Sequence, residues 1–171
     1  MIPWMLLTCL LLPGLQLASS SRSGPTKEFL TPKEIEKIQE AQEIDARIKV
    51  YVEASALRLQ TAEDRLAGKE SKTGDPFEFF SVEDLMDGYN RILHAVMMNL
   101  DDASDKPSTD PNKLQTAFKK LKSGAEAAVK PLEVLKKTAE DQRREELWML
   151  IGKAIEANDA ALEGASKSIK K

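Results

Sequence analysis

The side chains able to do chemistry are few: one imidazole, one thiol, a run of carboxylates and a cluster of aromatic rings. His94 is the only histidine and Cys9 the only cysteine in 171 residues. A carboxylate di-metal bundle needs paired Glu-x-x-His elements, and none surrounds His94. A Ser-His-Asp triad would need the same histidine beside a nucleophile on a sharp turn, and no such turn accompanies it. A noncovalent haem held by His94 and one of Met86, Met97 or Met98 would use methionines that, at helical spacing, ordinarily fill a core. No cofactor is expected, and no enzyme.

Two groups remain. Asp101, Asp102 and Asp105, with Asp110 beyond them, could gather the hard oxygens that calcium prefers, and they are the candidate metal ligands; the plainer reading is a solvated turn with helix caps. They spell D-D-x-x-D, which resembles the magnesium-diphosphate motif of helical terpenoid synthases over five residues; that resemblance implies a second acidic motif and a deep cavity. Phe77, Phe79 and Phe80 lie among Asp75, Glu78, Glu83, Asp84 and Asp87, with no basic residue between Asp75 and Asp87. They are the candidate partner-binding residues if exposed. If buried they plug the end of a bundle instead.

The leader comes first among the elements that must position these groups. Ile2 to Leu12 is nearly all apolar, Pro13 and Gly14 break it, and Ala18 and Ser20 place small residues for cleavage before Ser21. This layout predicts a signal peptide over residues 1–20, a disordered linker over 21–30, a helical domain over 31–171, and a secreted or periplasmic product. Cys9 leaves with the leader, which excludes disulfides and thiol chemistry from the remainder.

Thr31, Pro32, Lys33 and Glu34 then form a capping box with proline at the first helical position. Apolar or small residues recur from Ile35 to Leu66 at helical spacing until Gly68, which predicts one helix of roughly 54 Å. Ser81 opens a second helix with the stripe Val82, Leu85, Tyr89, Ile92, Val96 and Leu100, ending near Ala103. Asp110 and Pro111 start a third that carries Pro131. A fourth stripe runs Leu147, Ile151, Ala154, Asn158, Leu162 and Ala165. A hairpin near Thr138 to Asp141 separates the last two; the alternative is one long bent helix from Pro111 to Ser166.

Leu30, Thr31, Pro32, Lys33 and Glu34 resemble the L-T-x-x-Q motif of small periplasmic helical stress proteins and chaperones, with Glu34 in place of Gln. That resemblance implies a protein that holds unfolded clients or senses envelope stress without catalysis.

Amphipathic helices with short connections bury their stripes against one another. The expected fold is therefore all-α, an antiparallel up-down-up-down four-helix bundle with a long first helix. The net charge of −3 gives no general attraction to nucleic acid. Lys113, Lys119, Lys120, Lys122, Lys130, Lys136 and Lys137 make a basic third segment, read as a solvated face beside acidic helices or a contact for anionic lipid or polymer. No run of 18 apolar residues offers a membrane span, so an integral membrane protein is not expected. The first helix is long enough to pair between subunits in a homo-oligomer. The function expected is protein or envelope-surface interaction, with a small-ligand or weak calcium-binding bundle as the alternative.

Overall fold

The computed structural model describes residues 28–170, which form five helices and no strand. They are α1 (Pro32–Glu40), α2 (Ile44–Leu66), α3 (Val82–Asp105), α4 (Pro111–Asp141) and α5 (Glu145–Ile169). The signal peptide expected over residues 1–20 lies outside the described residues. Phe29 and Leu30, at the end of the stretch read as a linker, pack against the core.

The helix starts follow from local chemistry. Glu34 N donates to Thr31 Oγ1 at 3.3 Å while Thr31 N donates to Glu34 Oε2 at 2.8 Å, a closed capping box. Ser81 and Asp84 repeat the arrangement at 3.0 and 2.8 Å at the head of α3. Asp110 accepts from Asn112 N at 2.8 Å, and Pro111 supplies the first residue of α4.

The long first helix is corrected by the structure: the chain breaks at Ala41–Glu43 and divides into α1 and α2. Neither Gly nor Pro lies there, so the cause is tertiary. Carried straight on from α2, the turns of α1 would hold Ile35 and Ile38 away from the core. Folded back, α1 lies along α2, with Glu34 bonded to Arg58 and Arg47 Nη2 donating to Ala41 O at 3.2 Å. Ile38 packs on the core, although no α1 residue is fully buried.

The four longer helices form the body. Arg58 of α2 meets Gly88 of α3, Val52 of α2 meets Gly124 of α4, and Asn158 of α5 reaches both α3 and α4. A Cβ on Gly124 would stand 2.5 Å from Val52 Cγ1, so glycine there permits the close approach of α2 and α4. Ile48, Leu85, Ile92, Leu121, Leu147 and Ile151 are buried between the helices. Each contributes about 1.5–3 kcal/mol of apolar burial. α4 runs through Pro131 and ends in a tight hairpin, with Arg143 at φ 55, before α5; one long bent helix is thereby overturned.

Candidate functional site

The three phenylalanines divide. The segment 67–81 between α2 and α3 is folded by successive tight turns: Asp75 N donates to Lys72 O, Glu78 N to Asp75 O and Phe80 N to Phe77 O, each at 3.0 Å. Its acids are used locally. Asp75 Oδ1 accepts from Phe77 N at 2.7 Å, and Glu78 Oε2 accepts from Gly74 N at 2.8 Å. Arg65 on α2 fastens the turn by donating to Phe77 O at 2.8 Å and Glu78 O at 3.3 Å. Phe77 is buried, and Phe80 packs on the core with its ring edge-on to Phe77, centroids 5.4 Å apart. Phe79, between them, is 81% exposed.

The hairpin between α4 and α5 lies at the same end of the molecule. Gln142 Nε2 reaches Leu66 O at 3.5 Å, and Arg144 pairs with Glu83 in the first turn of α3 at 2.5 Å. Just beyond, Trp148 is 40% and Met149 56% exposed. With Ala139, Arg143 and Arg144 they help line a cleft of about 460 Å³, and Lys136 Nζ sits 4.6 Å over the Trp148 ring. The sequence reading passed over Trp148 and Met149. The signal was there: Leu147 to Ile151 is five apolar residues in a row, and at 100° per residue one buried face cannot accommodate them all.

A buried cation holds α1 and the Phe29–Leu30 segment before it, a strap along the edge, to the body. Arg58, only 2% exposed, bonds both carboxylate oxygens of Glu34, donates to Phe29 O at 2.7 Å and Ala54 O at 3.0 Å, and stacks 4.7 Å over Phe77. Burial alone would raise the Glu34 carboxyl, but the bonds from Arg58 and Thr31 outweigh it and hold it below its ordinary value. Elsewhere in the body, Tyr89 OH donates to Asn158 Oδ1 and Asn158 Nδ2 donates to Ala125 O, both at 3.0 Å. Burial pushes the Tyr89 phenol well up, so it stays a neutral donor.

Asp101, Asp102 and Asp105 are exposed on the last turns of α3. Asp102 lines a polar cleft of about 290 Å³ with Arg47, Lys106 and Lys113, which already place positive charge where a metal would. Among the described residues no group of three or more His, Cys, Asp or Glu could hold a metal ion. His94 is exposed. On the basic third segment, Lys120 donates to Asp45 Oδ2 at 2.8 Å and to its backbone oxygen at 2.9 Å, with Lys113 3.8 Å from Oδ1. The hydrogen bond from Lys120 is the largest of the effects that hold the Asp45 carboxyl below its usual range.

No helix among the described residues is long and apolar enough to cross a membrane. Comparison with known protein families, with characterised proteins and with solved structures finds no match to this chain.

Proposed function

We propose that the protein is an exported, non-catalytic helical bundle that acts by binding another protein through the end carrying Phe79, Trp148 and Met149. Export rests on the leader read from the sequence. The binding role rests on one observation: a phenylalanine 81% exposed, on a loop fastened by Arg65, at the same end as an exposed Trp and Met. Keeping such a ring in water forgoes about 1.5–3 kcal/mol that burial would return. Trp and other aromatic side chains on a fixed frame are the anchors that contribute most at protein interfaces. A stable interface covers about 800 Å² per partner, so residues on the flanks of the helix ends must join the contact.

A photo-crosslinking side chain at position 79 or 148 tests this, with position 160 on the exposed side of α5 as control. Adducts at 79 and 148, absent at 160, with the adduct at 148 lost on Phe79→Ser and the adduct at 79 lost on Trp148→Ser at unchanged Tm, support the reading. Equal labelling at all three positions overturns it.

A further inference from the structure

The end that carries Phe79, Trp148 and Met149 is also the acidic end of the molecule. Residues 64–84 and 137–149, which hold the α2–α3 and α4–α5 connections there, contain ten acidic and six basic residues. The opposite end, residues 41–49 and 99–120, is balanced at six of each.

Pairing within the chain leaves the excess in place. Arg144 is engaged by Glu83 and Lys69 by Asp64, while Arg65 turns inward onto the backbone oxygens of Phe77 and Glu78. Lys136 lies over the Trp148 ring instead of pairing with Glu140, one turn further along α4. Among the described residues, seven of the ten acids enter no ion pair, against four of the six bases with Arg65 counted among them. Some of these carboxylates have a local role. Asp75 and Glu78 bond amides of their own loop, and Glu145 and Glu146 stand in the first turn of α5, where the helix dipole favours them. Glu70, Glu140 and Asp141 have no such role, and all three are exposed. Glu140 and Asp141 even stand in the last turn of α4, against the negative end of its dipole, with no basic residue in that turn to offset them.

We infer that the partner of this end is a basic protein segment, in which Lys and Arg side chains flank an aliphatic or aromatic one. The apolar centre of the segment seats against Phe79, Trp148 and Met149. Its cations meet Glu70 on the α2–α3 connection and Glu140 and Asp141 beside the α4–α5 hairpin, Glu140 lining the same cleft as Trp148. An apolar centre within a charged rim is the ordinary anatomy of a protein interface. Opposite charge across the rim speeds encounter and disfavours acidic partners. The inference rests on the reading of this end as a protein-binding surface and names the chemistry that it selects.

The test selects short random peptides displayed on phage against the purified full chain, then measures binding of the enriched peptides, made synthetically, by fluorescence anisotropy. The expected sequences carry Lys or Arg on both sides of an apolar residue, and their binding weakens as salt rises. Glu140→Lys combined with Asp141→Lys should bind them roughly tenfold more weakly. Its Tm should be equal or higher, because cations suit the end of α4 better than the native acids do. Enriched peptides that are acidic or purely apolar, or that bind the charge-reversed variant equally well, overturn the basic partner; loss of their binding on Phe79→Ser with Trp148→Ser would leave the binding surface itself standing. No enrichment, or peptides that bind Phe79→Ser with Trp148→Ser undiminished, overturns both.

Discussion

Arg58 and Asn158 are both almost wholly buried, at 2% and 1% exposure, yet they sit in regions of opposite character. Asn158 is neutral and lies inside the body, where its amide takes the Tyr89 hydroxyl on one side and gives to the Ala125 carbonyl on the other, joining α3, α4 and α5. Arg58 is charged and lies under the edge, where it joins α2 to a helix with no buried residue of its own. A satisfied neutral pair fixes which helix faces meet without responding to pH. A buried charge is held only while its counter-charge stays ionised, and losing one partner leaves the other uncompensated. The body is thus built to be constant and the strap to be conditional.

The contrast can be broken in four places. The largest effect belongs beneath Arg58: Phe77→Ala removes a buried ring and should cost about 3–5 kcal/mol in urea denaturation, against a change within about 0.5 kcal/mol for the exposed Phe79→Ala. Equal effects would mean that the loop is not seated as described. Next, Asn158→Ala leaves the Tyr89 hydroxyl without its partner in the body and removes the second bond to the Ala125 carbonyl, and should lower stability by about 1–3 kcal/mol with no change in the pH profile between pH 3 and 7.

The third test is acid. Glu34 is held below its ordinary value of 4.5 in the folded chain. Its contribution is therefore complete above the unfolded value and disappears as the pH falls through the lower folded one. Hydrogen exchange of α1 should accelerate relative to α2–α5 across that acid range, and Glu34→Gln should remove the dependence. A profile for α1 parallel to that of the body would show that the ion pair does not govern the strap. The smallest effect is a gain. A Cβ at Gly88 would meet Arg58 and Phe29 O no closer than 3.8 Å, so Gly88→Ala within α3 should stabilise by about 0.5–1 kcal/mol, seen as a higher Tm.

What could be read from the sequence was what neighbours in the chain decide. Thr31 and Ser81 announced their caps, Asp110–Pro111 announced a restart, and Leu85, Ile92 and Val96 fell on the buried face that their spacing required. Asn158 already stood in an apolar stripe, where a polar residue had to find a partner. The hinge at Ala41–Glu43 was not legible, because only contacts with Arg58, far along the chain, distinguish it from continuous helix. Nothing in the sequence singled out Arg58 from the other charges of the segment. The Phe cluster was visible as a group, but its division was not: which ring turns inward depends on the Arg65 bonds and on Asp75 folding the turn. Trp148 and Met149 were recoverable from the length of their apolar run.

The most direct measurement of the central claim is native-state hydrogen exchange at neutral pH, resolved by peptide. The amides of α1 should open on the order of 100-fold more readily than the buried centres of α2–α5, without global unfolding, because α1 has no fully buried residue and is held chiefly through Arg58, whereas the body is held by a packed core. Protection of α1 equal to that of α3 and α5 would contradict a body and strap of different stability.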